Sequence, residues 1–339
     1  MHSAILRRSL IFILAIFFVV IALIIVAKSM YMEYMQTELS LPSDFIQFNI
    51  EPGMNSSSIV KALVTEKIID KPYFLKYAIH EKNLGVKLKA GEYKIENGIT
   101  PEALLGLLQS HKVIQYRLTL IEGWSYSQMM DAIKDSEHLV KTLDNYSMDT
   151  VRDLLGVKEI SLEGLFFPDT YHFPAGTTDV DFLTRSHDSL KLVLNEEWAK
   201  GQEGLPYKKP YEALIMASIV EKETGRAEER ADIAGVFVKR LNVGMLLQTD
   251  PTVIYAIGQS FDGNIRKKDL SIDSPYNTYR YKGLPPGPIS LVGREAIHAA
   301  LNPAENEYFY FVAKGDGTHQ FSKDLNEHNR AVRKYQLKK

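Results

Sequence analysis

Residues 51–63 read EPGMNSSSIVKAL and residues 122–133 read EGWSYSQMMDAI, and the two stretches follow one pattern. Aligned on Gly53 and Gly123, each places a bulky residue next (Met54, Trp124) and an apolar residue six positions on (Ile59, Met129). Each then has alanine at the ninth position (Ala62, Ala132) and an aliphatic residue after it (Leu63, Ile133). An alternating strand-like stretch precedes each copy, FIQFNI at 45–50 and VIQYRLTLI at 113–121. The pattern predicts a unit of strand, glycine turn and helix. A serine at the turn supplies the N-cap, and the apolar residues recur at helical spacing.

Between the copies, residues 91–95 (GEYKI) predict a further short strand, and residues 101–108 a helix with Pro101 in its first turn. Residues 43–135 are therefore expected to form a small α+β module. LysM domains are modules of this build that bind cell-wall polysaccharide; a spacer or an interaction platform fits the same residues.

Upstream, residues 10–27 (LIFILAIFFVVIALIIVA) form an uninterrupted apolar run of 18 residues. At ~1.5 Å per residue such a run crosses most of a ~30 Å hydrocarbon core. Arg7 and Arg8 precede it and only Lys28 follows closely, which keeps residues 1–9 in the cytoplasm and exports the rest. A signal peptide shares these features, but the run exceeds the usual signal core and VAKSM offers no small-x-small cleavage site. Residues 28–42 read as a polar linker. The full chain of 339 residues is 24% charged with a formal net charge of -2, so no global field points to nucleic acid. It contains no cysteine, which excludes disulfides, thiolate catalysis and cysteine-ligated metals.

Downstream of the module, residues 140–160 read as helical. Residues 162–171 (LEGLFFPDTY) then gather aromatics and carboxylates, which either line a sugar site or form ordinary core and turn. Val180, Leu183, Leu190, Leu194 and Trp198 share a face of a helix starting near Thr178. Residues 211–224 (YEALIMASIVEKET) predict a helix with Pro210 at its start and Gly225 at its stop. Its end carries Glu221 and Glu223. At helical spacing Glu223 lies over Val220, Ile219 and Met216, and Glu221 over Ser218, Ala217 and Leu214. Glu223 extends the more apolar stripe, so desolvation and the negative end of the helix dipole are expected to raise its pKa, as a general acid requires. A solvated E-K-E run is the alternative for this helix taken alone. Beyond a second helix (227–241) lie a polar turn at 247–253 (LQTDPTV), PYNTY at 275–279, GLPPGPI at 283–289 and a predicted β-hairpin about Asp316 and Gly317 that carries His319. His298, His319 and His328 have no metal-ligand spacing, and no P-loop, GxSxG or dinucleotide fingerprint occurs.

Taken in order, EGLFFPDTY, ASIVEKET, LQTDPTVIYAIG, YNTY, GLPPGPI and FVAKGDGTHQFS resemble the signature segments of the YceG-like endolytic murein transglycosylases (MltG). The resemblance spans nearly the whole chain. It implies an α+β architecture: a transmembrane helix (10–27), a LysM-like module (43–135) and a larger α+β catalytic domain (140–339). The resemblance makes Glu223 catalytic, with Gln248, Asp250, Asn277, Tyr279 and His319 as candidates for the substrate-binding wall, and no metal or cofactor. The implied reaction cleaves the MurNAc–GlcNAc bond inside glycan strands and leaves 1,6-anhydro ends. The implied partners are peptidoglycan glycan strands, the cytoplasmic membrane through residues 10–27, and proteins of wall synthesis. A hydrolytic muramidase using Asp250 or another carboxylate, and a catalytically silent glycan-binding scaffold, are the alternatives.

Overall fold

The computed structural model describes residues 2–85, 87–159 and 161–337. The chain divides into two compact units, residues 1–116 with 173–176 and residues 117–172 with 177–339.

The first unit begins with α1 (His2–Gln36), of which Leu10–Gln36 is long and apolar enough to cross a membrane. It continues through β1 (Phe45–Ile50), α2 (Ser56–Thr65), α3 (Pro72–Glu81), β2 (Gly91–Glu96) and α4 (Pro101–Gln109). β1 and β2 pair antiparallel with Phe48 opposite Tyr93 and Ile50 opposite Gly91. Phe48, Ile50, Tyr93 and Ile95 are buried with Ile59, Leu63, Leu75 and Leu104 of the helices. Residues 28–42, expected as a polar linker, are instead part of this unit. Residues 28–36 continue α1, and Tyr34, Met35, Leu39 and Leu41 are buried in the core. The Leu39 N–H donates to the Ile99 carbonyl at 2.9 Å and the Leu41 N–H to Asn97 Oδ1 at 2.8 Å. Each buried apolar side chain contributes roughly 1.5–3 kcal/mol, enough in sum to fix the segment. Polar residues interleaved at 36–40 hide this in a linear reading.

β3 (Gln115–Thr119) and β4 (Thr170–Pro174) form a second two-stranded sheet. The second unit contains α5 (Tyr126–Asp135), α6 (Met148–Leu155), α7 (Asp179–Trp198), α8 (Pro210–Glu223), α9 (Ala227–Asn242), α10 (Asp250–Ile257) and α11 (Arg294–Leu301). The hairpin β5 (Tyr310–Ala313) and β6 (His319–Ser322) and the helix α12 (Leu325–Tyr335) complete it.

Both copies of the repeat form strand, turn and helix, and Gly53 and Gly123 take φ of 86° and 76°. The cap falls two residues after the glycine in each. Ser125 caps α5 in a capping box with Gln128, as expected, but Asn55 rather than a serine caps α2, through Ser58 N–H to its Oδ1 at 2.9 Å. The second copy joins the second unit, so the compact division falls at 116/117 and not between 135 and 140. Backbone pairing explains this: Gly123 N–H donates to Leu291 O at 2.9 Å, and Leu291 N–H to Trp124 O at 2.7 Å.

Residues 140–147 are not helical. They supply donors to the buried Asp179 at the start of α7, including Thr142 N–H at 3.0 Å and Tyr146 Oη at 2.5 Å. The buried face of α7 is set by Phe182, Leu183, Leu190 and Val193, with Glu197 buried among them because Arg294 and His298 hold its carboxylate. Asp250 and Pro251, expected in a polar turn, open α10, where proline at the second position lacks only an N–H that a helix leaves unpaired.

Gly164 fixes the loop that covers α8. Its φ is +72°, and a Cβ there would lie 2.5 Å from Pro288 Cβ and 2.8 Å from the Ser290 carbonyl. Gly164→Ala combines a left-handed backbone penalty of ~1–2 kcal/mol with overpacking of ~1–3 kcal/mol. Thermal unfolding of the full chain in detergent is therefore expected to shift down by at least about 4 °C; an unchanged midpoint would refute the close approach.

Candidate active site

α8 is buried on every side from Ala213 to Val220, because α7, α9, α10 and α11 all pack against it. The expected contrast between an apolar stripe under Glu223 and a more polar one under Glu221 therefore does not exist. What separates the two glutamates is their partners. Glu221 Oε2 accepts the N–H of Gly293, the N-cap of α11, at 3.0 Å, and Oε1 lies 3.8 Å from Arg230 Nη2. Its side chain is only 6% exposed. Burial raises its pKa, while the helix N-terminus and the guanidinium oppose that effect.

Glu223 is the last residue of α8; Thr224 is already extended and its N–H caps Val220. Among the described residues the Glu223 carboxylate makes no ion pair, and its Oε1 accepts the hydroxyl of Thr249. Thr249 is itself pinned. Its N–H donates to Thr278 Oγ1 at 3.1 Å, and its carbonyl accepts Thr252 Oγ1 at 2.7 Å. Thr252 and Thr278 share a hydrogen bond of 2.8 Å between their hydroxyls. All three threonines are buried. Desolvation is the largest influence on Glu223 and raises its pKa to about 7. The Thr249 hydroxyl lowers it, Asp250 raises it, and His319 and Arg240 lower it.

Glu223 opens on a cavity of about 410 Å³ whose wall includes Gln248, Asp250, Tyr279, His319 and Arg240. Gln248 is exposed and held at φ +50°, with its N–H on the Thr278 carbonyl at 3.2 Å. Asp250 Oδ1 accepts the Tyr279 hydroxyl at 2.5 Å. His319 packs edge-on against Phe311, with centroids 5.4 Å apart. The hairpin that carries it is tied to the start of α9 by the N-cap residue Arg226, whose Nη2 donates to Asp316 O at 3.2 Å.

Asn277 is not in this wall. It is fully buried, its Nδ2 donates to the carbonyls of Leu270 and Ile272 at 3.1 and 2.8 Å, and its Oδ1 accepts Tyr279 N–H at 3.0 Å. It shapes the loop that delivers Tyr279 to the cavity. Residues 162–169 form buried core and turn, and Thr170 and Tyr171 open β4. Glu163 is 3% exposed and accepts Tyr126 N–H at 2.7 Å, and burial raises its pKa to about 7.

Three participants carried no separate signal in the sequence. Thr249 stands inside the quoted LQTDPTV, but as a short hydroxyl between better candidates. Arg240 reads as a routine base near the end of a helix, yet it is buried, donates to the carbonyls of Phe309 and Leu247 at 2.7 and 2.5 Å, and stacks over Tyr310 at 5.2 Å. Glu229 lies in an acidic first turn of α9. Its carboxylate takes the His319 N–H at 2.9 Å and meets His319 Nδ1 at 2.7 Å, fixing the ring. Burial pushes the Glu229 pKa up, and the hydrogen bonds from His319 outweigh it, so the net direction is down.

Comparison with known proteins agrees with this architecture. The endolytic murein transglycosylase of Bacillus subtilis (strain 168) is 33% identical over 311 residues, 86% of this chain and 84% of that protein. That of Streptococcus pneumoniae serotype 2 (strain D39) is 28% identical over 323 residues, 85% of this chain but 58% of the longer streptococcal protein. The 2.6 Å crystal structure of a yceG-like protein from Listeria monocytogenes superposes with a TM-score of 0.53 at 30% identity, covering 85% of this chain and 98% of that one. With the YceG-like family model matching residues 48–334, the chain belongs to the YceG-like family.

Proposed function

We propose that the protein is a membrane-anchored lytic transglycosylase that cuts the β-1,4 bond between N-acetylmuramic acid and N-acetylglucosamine inside peptidoglycan strands. The observation that carries this reading is one carboxyl group, Glu223, with a pKa raised to about 7 and facing a polar cavity, beside a second, Glu221, already committed to a helix N-terminus. The names of the bacillar and streptococcal relatives support the same reaction class.

In this mechanism protonated Glu223 donates its proton to the glycosidic oxygen as the bond from C1 to that oxygen breaks. The muramyl 6-hydroxyl then bonds to C1 and returns its proton to Glu223, closing the 1,6-anhydro ring and restoring the acid. One carboxyl serves as acid and base because the nucleophile belongs to the substrate and is already held near C1. Thr249 orients the carboxyl. Gln248, Asp250, Tyr279 and His319 are the side chains available to sugar hydroxyls and acetamido groups, with Asn277 setting the Tyr279 loop.

The remaining assignments belong to the same proposal. Arg7 and Arg8 stay cytoplasmic, residues 10–27 cross the membrane, and both units lie on the outer side. The order β1, α2, α3, β2 with an antiparallel strand pair supports a LysM-like, glycan-binding role for the first unit. The reaction is assigned to the second.

Three outcomes test the proposal on isolated glycan strands. Glu223→Gln is expected to reduce turnover at least about a hundredfold, the scale of general acid catalysis, with binding retained, and Glu221→Gln to reduce it less. The reverse ranking would transfer the role to Glu221. Mass spectrometry is expected to find anhydro ends; reducing ends one water heavier would establish a hydrolase instead.

The pH profile supplies the third outcome. An acid that must be protonated loses function as pH rises through its pKa, so kcat/KM is expected to fall above about 7. Asp250→Asn removes a charge that raises this pKa and is expected to move the alkaline limb down. His319→Gln removes a group that lowers it and is expected to move the limb up. Shifts in the opposite directions would refute the assignment of that limb to Glu223.

A further inference from the structure

The helix that leaves the membrane is the helix that enters the core of the first unit. α1 runs without a break from the apolar residues 10–27 to Tyr34 and Met35, which are buried. A bilayer has ~30 Å of hydrocarbon within ~40–45 Å overall, which leaves an interfacial layer of roughly 5–7 Å on each side. At ~1.5 Å per residue, Tyr31 stands only about 6 Å beyond Ala27, inside that layer.

α3 runs alongside at this depth. The Tyr31 ring meets Tyr77 edge-on at 5.1 Å and Phe74 at 6.0 Å, and Tyr73 packs on Phe74 at 4.5 Å. A cavity of about 670 Å³ lies between the two helices, with Ile24 and Ala27 on one wall and Tyr73, Phe74 and Tyr77 on the other. Tyr73 and Tyr77 are nonetheless 59% and 53% exposed. Ile24 and Ala27 belong to the apolar run itself, so when they lie in hydrocarbon the space beside them is filled by lipid and not by bulk water.

We infer that this face of the first unit is a membrane seat: α3 lies in the interfacial layer of the bilayer, and the cavity between α1 and α3 takes part of a lipid molecule. The inference rests on the reading of residues 10–27 as a membrane span. Tyrosine suits the position because its ring sits among acyl and glycerol groups while its hydroxyl reaches the headgroups. The charges at the rim are mixed. Lys28 lines the cavity, Lys82 is paired with Glu102 at 2.9 Å, and Glu81 accepts the Tyr31 hydroxyl at 3.3 Å. The seat therefore fits lipid as an amphipathic surface and does not require anionic headgroups. An unbroken helix with a second contact fixes the first unit against the bilayer, where a flexible tether would let it swing.

The absence of cysteine allows a single spin label at any chosen site. Full-length Phe18→Cys, Tyr73→Cys, Tyr77→Cys and Lys94→Cys are each labelled and reconstituted in phosphatidylcholine vesicles, with and without phosphatidylglycerol. Accessibility to oxygen and to a water-soluble nickel chelate then reports depth. The expected result is a Phe18 label in hydrocarbon, and Tyr73 and Tyr77 labels at interfacial depth in both lipid mixtures, with lower nickel accessibility than the label at exposed Lys94 on β2. If Phe18 is in lipid while Tyr73 and Tyr77 match Lys94, the seat is overturned and the anchor stands. If Phe18 is itself reached by nickel, the anchor reading fails and the seat with it. Interfacial depth only when phosphatidylglycerol is present would overturn the claim that the surface is read without anionic lipid.

Discussion

Desolvation of the carboxyl at the end of α8 is the constraint on which the second unit turns. A buried helix delivers Glu223 to a half-buried position at a cavity, and desolvation there is the largest of the influences that raise its pKa to about 7. Holding the group ionised there costs roughly 3 kcal/mol relative to water. That is a large fraction of the ~5–15 kcal/mol by which a domain is stable. The surrounding structure has to offset it, and the all-round burial of residues 213–220 contributes to that. The same helix carries Glu221 two residues earlier. Two unpaired carboxylates at one helix end would repel each other and the helix dipole alike. The fold resolves this by giving Glu221 the N-terminus of α11 and Arg230, and leaving Glu223 a single neutral donor.

That donor shows how little of the site rests on charge. Thr249, Thr252 and Thr278 hold one another through short hydroxyl and amide contacts, and Asn277 braces the same loop through two carbonyls. A buried network of this kind is rigid only when every member is satisfied. Arg240, a buried cation at the cavity, is likewise spent on the carbonyls of Phe309 and Leu247. It can tune Glu223 through space without neutralising it.

The elements that sequence reading finds best are those set by local physics. Proline, glycine and apolar spacing place α8 and α9 to within a residue, and the glycine turns place the strand, turn and helix order of both repeat copies and the β5–β6 hairpin. Misreadings arise where tertiary context decides. Residues 34–41 look polar because their buried side chains are spaced irregularly, yet a neighbouring loop supplies their hydrogen bonds. The division between the units differs from the one the sequence suggests, because the shared local pattern at 51–63 and 122–133 says nothing about which core each copy joins. Asn277 illustrates the same limit within the site: an amide in a loop reads as a ligand-binding group until its carbonyl partners are known. Helical spacing picks out Glu223 by its face, whereas in the structure it is the partners of the two carboxylates that separate Glu223 from Glu221.

Asp250 bears on why one free carboxyl suffices. A glycosidase that uses water needs a second carboxyl to activate it or to attack the sugar directly. Here the second carboxyl in the cavity is engaged by the Tyr279 hydroxyl at 2.5 Å and sits at the first residue of α10. Its electrostatic influence raises the Glu223 pKa, which favours the protonated form that the proposed first step uses. A nucleophile supplied by the substrate removes the need to hold a water between two carboxyls, and its attack is intramolecular, so the gain from proximity replaces the gain from a second base. In the proposed mechanism a carboxyl with a raised pKa, a neighbouring charge that adds to that rise, and a nucleophile brought by the glycan form one consistent set. The cavity then has to provide shape and hydrogen bonds for the sugar, with the proton held on a single residue.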